Sequence, residues 1–209
     1  MSEELALHRR GCRLVAGLDE VGRGALAGDV VAAAVVLPAD DSVLERLRGV
    51  RDSKQMTARQ RTALYSMIQA EAIAIGLGRV PAQVVDHVGI VPATRQAMTL
   101  AVSDLPVRPD FLLIDALYLP ELTIPQKPLI KGDARCLSIA AASIIAKVSR
   151  DTMMTQLDVV YPGYGFARHK GYGTAFHCQS LAVLGPCAIH RRSFAPLRQA
   201  TGRVASRNE

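Results

Sequence analysis

The order of apolar and polar positions predicts a chain that alternates strand and helix. Residues 13–20 and 29–37 are β-rich runs separated by Val21-Gly22-Arg23-Gly24, and Pro38 closes the second. Two adjacent strands follow from this, with a hairpin as the simplest connection. Thr57-x-x-Gln60 offers a capping box ahead of Ala63, Leu64, Met67 and Ile68, whose spacing gives a helix one apolar face. Residues 72–80 read as a third strand, 92–105 as a helix, and 111–115 and 128–131 as short strands bounded by turn residues. The longest helix is predicted over 138–159, ended by Pro162-Gly163, and a last one over 174–184, ended by Gly185-Pro186. Ala140, Ala141, Ala142, Ser143 and Ala146 make the long helix small-sided, so its backbone can lie close to a sheet.

A strand pair followed by alternating helix and strand predicts an α/β fold, a mixed sheet flanked by helices. The 209 residues are expected to form one main domain over 1–185, with a basic C-terminal segment over 186–209 packed on it or extending from it as a short helix. At 49% hydrophobic and 21% charged the chain can bury a sizeable core, which excludes wholesale disorder. The longest apolar run, residues 30–37, is far short of the roughly 20 residues that cross a bilayer, and no signal-like segment follows Met1. Cys12, Cys136, Cys178 and Cys187 show neither a C-x-x-C pair nor zinc-site spacing, so free thiols and a cytoplasmic location are expected.

Charge is divided unevenly. The net +6 lies at the C-terminus, where Arg168, Lys170, Arg191, Arg192, Arg198, Arg203 and Arg207 face one acid, Glu209, while residues 1–160 balance. Six of the nine aromatics fall in the same stretch (Tyr161, Tyr164, Phe166, Tyr172, Phe176 and Phe194), so the last quarter is a candidate polyanion contact on which bases or sugars can stack.

Candidate chemistry sits at strand ends. Asp19 and Glu20 close the first strand, Asp115 closes the central one and Asp133 follows the last, where open α/β sheets place their sites. Four carboxylates brought together repel one another, and oxygen-only ligands suit Mg²⁺ or Mn²⁺. Two such ions about 4 Å apart activate a water and stabilise a leaving oxygen in phosphodiester cleavage. Each acid alone would serve equally well as a cap, a turn former or a solvated group, Asp133 above all. Asp19 and Glu20 also point to opposite faces of a regular strand, so their convergence is expected to need distortion, which the glycines of Gly22-Arg23-Gly24 make cheap.

Asp19-Glu20-Val21-Gly22-Arg23-Gly24, Asp52-Ser53-Lys54, Leu113-Ile114-Asp115-Ala116, Lys131-Gly132-Asp133, the Ser138 to Lys147 helix start and His169-Lys170-Gly171-Tyr172-Gly173-Thr174 together resemble bacterial ribonuclease HII, a type 2 ribonuclease H. The resemblance implies the ribonuclease H-like fold, a five-stranded mixed sheet with flanking helices. It further implies a metal-dependent endonuclease that leaves 5′-phosphomonoesters. The substrates implied are RNA/DNA hybrids and ribonucleotide-containing duplex DNA, cut in primer removal and ribonucleotide excision. By position, Asp19, Glu20, Asp115 and Asp133 match the catalytic, Mn²⁺- or Mg²⁺-binding carboxylates. Gly22, Arg23 and Gly24 match a loop that contacts the ribose 2′-hydroxyl, Tyr172 a ring beside the RNA-to-DNA junction, and Lys54 a lysine near the scissile phosphate. Arg191 and Arg192 resemble a C-terminal segment suited to backbone contact.

Asp151 also matches the family pattern, but it lies about 20 Å along the helix from Ser138 and is expected to be structural. His169, His177 and His190 read as packed residues or phosphate-side contacts. The related ribonuclease HIII branch carries an extra N-terminal domain and a lysine between the motif glycines; Arg23 and the dozen residues before the first strand favour the HII branch. A monomer is expected, since no long heptad pattern is present. A non-enzymatic nucleic-acid-binding module is the alternative from a different class, and another nuclease or recombinase on the same fold is a third.

Overall fold

The structure, a computed structural model, describes residues 2–47, 49–50 and 56–198. Its centre is a five-stranded sheet in the order β3-β2-β1-β4-β5, formed by β1 (Val15–Val21), β2 (Val30–Val36), β3 (Ala74–Val80), β4 (Phe111–Asp115) and β5 (Gln126–Leu129). β1 and β2 pair antiparallel, as do β2 and β3, whereas β1, β4 and β5 run parallel. Every residue of β2 is buried, as expected of a central strand covered on both faces.

One face is closed by α5 (Ile90–Ser103), which packs Ala93, Ala97, Met98 and Ala101 against Leu18, Ala32 and Ala34. The other face is closed by α6 (Leu137–Val160), whose Ala141, Ile144 and Ile145 meet Ala33 and Val35. α3 (Ala58–Glu71) adds Ile68 to that layer, and its N-terminus carries the expected Thr57–Gln60 capping box. The small-sided start of α6 does lie close to the sheet, because a Cβ on Gly17 of β1 would stand 2.2 Å from the Ser138 carbonyl carbon.

Four helices had no signal in the pattern: α1 (Ser2–Arg9), α2 (Asp41–Arg46), α4 (Ala82–Val88) and α7 (Phe166–His169). Each is a turn or two long, below the length at which periodicity is readable. α1 is fixed by charge instead. Glu4 accepts from the Ser138 amide (3.0 Å) and hydroxyl (2.9 Å), capping α6, whose own N-cap residue Cys136 makes no side-chain cap bond. Glu3 pairs with Lys127 at 2.7 Å and Arg135 at 3.0 Å. β5 lies two residues earlier than its predicted span and includes Pro128, which an edge strand tolerates. α7 (Phe166–His169) and α8 (Ala175–Leu184) follow α6. From Pro186 the chain runs along the body in turns, with one bridge between His190 and Ala27, and Leu197 and Arg198 are helical.

Candidate active site

The parallel half of the sheet decides where the acids meet. β1 and β4 stay in register only to the Leu18–Ile114 pair, so Asp19, Glu20 and Asp115 stand together at the carboxyl ends of adjacent strands. The expected distortion of β1 is not needed: pairing with β2 continues through Glu20–Ala32 and Val21–Val31. Main-chain amides orient the site. The Glu20 N–H donates to Asp19 Oδ1 at 2.7 Å, and the Gly132 N–H to Asp115 Oδ1 at 2.8 Å. The second bond ties the turn carrying Asp133 to β4, while Asp133 itself accepts from Ala134 N at 3.0 Å.

Backbone strain clusters around this edge. Among the described residues the three non-glycine residues with positive φ are Ala116, directly after Asp115; Lys131, two before Asp133; and Lys170, two before Tyr172. Each costs on the order of 1 kcal/mol or more, and such positions concentrate at functional sites.

A cleft of about 470 Å³ opens on the acids, lined by Asp19, Glu20, Val21, Arg61, Ser143, Lys147 and Tyr172. Burial and the adjacent Glu20 and Asp115 charges push Asp19 up to about 8, against a hydrogen bond from Ser143. Burial also raises Glu20, opposed by Arg23, whose guanidinium lies 3.0 Å from Oε1. Glu20 Oε2 is buried with no hydrogen-bond partner. Crowded, desolvated carboxylate oxygens with an acceptor left over are what a divalent cation satisfies. Among the described residues no three acids, histidines or cysteines form a closed ligand cage. Mg²⁺-type ions that keep several waters need only one or two protein carboxylates, so the open arrangement fits them.

The other expected residues fall in different places. Gly22 has φ +90° and a Cβ there would stand 2.2 Å from Arg150 Nε, whereas Gly24 is exposed and a Cβ would meet nothing within 4 Å. Tyr172 is half-buried at the cleft, with Arg150 Cζ 5.6 Å and Lys147 Nζ 6.0 Å from its ring centre. Lys54 lies outside the described residues, as does the tail beyond Arg198. The arginine pair is split. Arg192 is exposed, but Arg191 is wholly buried and donates to the Gly28 carbonyl (2.7 and 3.1 Å) and the Arg23 carbonyl (2.9 Å). In this arrangement Arg191 offers nothing to a phosphate backbone. Asp151 pairs with Lys147 at 2.7 Å.

The three histidines are buried around Phe166 and none lines the cleft. The Cys187 N–H donates to His190 Nδ1 at 2.9 Å, so His190 donates from Nε2 to His177 Nε2 at 3.0 Å, and His177 Nδ1 donates to the Tyr172 carbonyl at 3.0 Å. This polarity requires neutral rings. Burial lowers both, His190 to about 4.

Sequence reasoning passed over Arg150, which is fully buried. One signal was available: Ser143, Lys147, Arg150 and Met154 recur at four, three and four residues, a single stripe of α6.

A mixed sheet of this order with a carboxylate-lined cleft at the ends of its parallel strands defines a ribonuclease H-like nuclease. Residues 16–197 match the family model for ribonuclease HII, and the chain belongs to that family. It is 54% identical to ribonuclease HII of Chloroflexus aurantiacus over 96% of this chain and 95% of that one, and 56% identical to that of Chloroflexus aggregans over 94% and 93%. The fold is similar to a crystal structure of the ribonuclease H2 from Pyrococcus horikoshii OT3, with TM-score 0.77 and 28% identity over 92% of this chain and 99% of that one. The protein is thus a hydrolase and an endonuclease of the ribonuclease H type, in a family that depends on divalent metal. No described helix is long and apolar enough to cross a membrane.

Proposed function

We propose that the protein cuts the RNA strand of RNA/DNA hybrids and also cuts at single ribonucleotides embedded in duplex DNA, with Asp19, Glu20, Asp115 and Asp133 holding Mg²⁺ or Mn²⁺. The observation that carries this reading is the crowded acid cleft with its unpartnered Glu20 oxygen, beside Tyr172 and a Gly24 that faces open space. Bound cations supply an activated water and charge stabilisation at the leaving oxygen. The chain's own groups do the rest. The Glu20 and Gly132 amides and Ser143 hold the carboxylates in place before substrate arrives. Main-chain groups around Gly24 meet the 2′-hydroxyl, which a side chain there would keep at a distance. Tyr172 lies flat against the neighbouring sugar. Lys54, Arg23 and Arg192 contact phosphates, and the chain acts as a cytoplasmic monomer.

Gly24→Ala tests the sensing loop cleanly, since the fold has room for the methyl. Cutting at a lone ribonucleotide is expected to fall at least about tenfold with the melting temperature unchanged. A variant as active as the parent on that substrate would remove the loop from ribonucleotide recognition. The bond-breaking role stands on a separate assay, with hybrid, ribonucleotide-containing and all-DNA duplexes under a Mg²⁺ and Mn²⁺ titration. Equal cutting of the all-DNA duplex would overturn it.

A further inference from the structure

Two buried cations take no part in the cleft. Arg150 lies on α6 and Arg191 on the C-terminal segment, and both side chains are fully buried. Burying a guanidinium is costly, and an apolar side chain of similar volume would fill the same space more cheaply if filling were its task. Their donors instead go to main-chain carbonyls. Arg150 donates to Asp29 (2.9 Å), Ala27 (2.9 Å) and Lys170 (2.8 Å), and Arg191 to Gly28 and Arg23. Between them they fix four carbonyls in residues 22–29 and one immediately before Gly171-Tyr172.

The same three segments are laced by main-chain bonds. Leu26 N donates to Gly171 O at 2.8 Å, Arg191 N to Leu26 O at 2.8 Å and Gly28 N to Ile189 O at 2.9 Å. Arg150 also lies under the Tyr172 ring, and its Nε fills the space that any side chain on Gly22 would need. A planar fork holds several acceptors at fixed mutual spacing, which a point charge on a flexible stem does not.

We infer that Arg150 and Arg191 are positioning residues that set the separation between the Gly22-Arg23-Gly24 loop and Tyr172, and so determine how well a lone ribonucleotide is distinguished. This rests on the reading of that loop and ring given above. The pair acts on selectivity, while the acids, held by other bonds, keep their hydrolytic arrangement.

The test is Arg191→Lys, which retains the charge but lacks the planar fork that holds the Gly28 and Arg23 carbonyls at a fixed spacing. The quantity measured is the ratio of cutting at a lone ribonucleotide to cutting within a long hybrid, taken on one preparation so that the folded fraction cancels. The ratio is expected to fall at least tenfold through kcat, with KM for the hybrid within twofold of the parent. A merely structural role predicts an unchanged ratio with both rates lowered alike, and that result overturns the inference. Should Arg191→Lys lack a cooperative melt, Arg150→Lys asks the same question from α6. Failure of both to fold would assign the pair to the core and also overturn it. Gly24→Ala run in parallel separates the two levels: a lowered ratio there with an unchanged ratio in Arg191→Lys leaves the loop's role standing and removes only the positioning role.

Discussion

The acid cleft and the arginine-held loop junction are neighbours along one helix, and the fold treats their charges in opposite ways. At the cleft, the charges of Glu20 and Asp115 add to burial in raising Asp19, Asp115 adds to burial in raising Glu20, and a buried Glu20 oxygen has no partner. At the junction, Arg150 and Arg191 are more deeply buried, yet their donors are distributed over five carbonyls. A group that must exchange ligands with a substrate is left under-satisfied. A group that must hold others still is saturated. Burial alone therefore does not separate the two regions; the balance of donors and acceptors does.

The largest effect is expected from breaking the cleft side. Asp115→Asn keeps the shape and the Gly132 bond to Oδ1 but removes a charge, and cleavage should fall by about 10²-fold or more with duplex binding retained. Residual cutting above a few per cent of the parent rate would remove Asp115 from the reaction. The same logic gives Asp19→Asn a raised melting temperature in chelator near pH 7, because folding no longer has to desolvate or protonate that carboxylate.

The junction should respond in the reverse sense. Arg191→Ala strands the Gly28 and Arg23 carbonyls and leaves a cavity, costing about 3 kcal/mol of stability in denaturant unfolding. A change below 1 kcal/mol would mean that water or relaxed backbone satisfies those carbonyls, and the contrast between the two regions would weaken.

Acid should loosen the junction through its imidazoles. His190 and His177 titrate below the ordinary histidine value of 6.5 because they are buried, His190 at about 4. The unfolded chain binds those protons more readily, so the stability they confer is complete above pH 6.5 and lost as pH falls toward 4. Melting temperature against pH checks this, and His190→Gln should flatten the slope in that window. An equally steep profile in the variant would place the titration elsewhere.

The smallest expected effect lies at α1. Glu4→Gln keeps an acceptor for Ser138 but loses the charge beside the α6 N-terminus, for a loss of about 0.5 to 1 kcal/mol. A neutral result would make the contact incidental.

How far each region could be read in advance follows from its physics. The acids announce themselves, because Asp19-Glu20 and Asp115 end apolar runs, and a strand that ends in acid is legible by pattern alone. The parallel pairing that brings them together is a long-range fact, but the α/β alternation implied it. Arg191 reads as surface because an arginine is ordinarily solvated, and its acceptors are main-chain oxygens 163 and 168 residues away, which no side-chain pattern encodes. α1 was illegible for a similar reason, being held by Glu3 and Glu4 on partners more than 120 residues distant. Gly22 and Gly24 looked equivalent; one serves packing against Arg150 and the other leaves the surface open.

Ser143, Lys147, Arg150 and Met154 lie on one side of α6, touching in turn Asp19, the cleft, the loop carbonyls and the space beside Gly28 and Gly171. The helix therefore works as a ruler. From Ser143 to Arg150 it measures about 10 Å between the place where a bond would break and the frame that presents the sugar. Its graduations are angular as well as linear. A single inserted residue would turn everything beyond it by about 100°, whereas seven residues return nearly to the starting face. An engineer wishing to widen the spacing between chemistry and recognition must therefore add residues in increments that restore the face, such as seven or eleven.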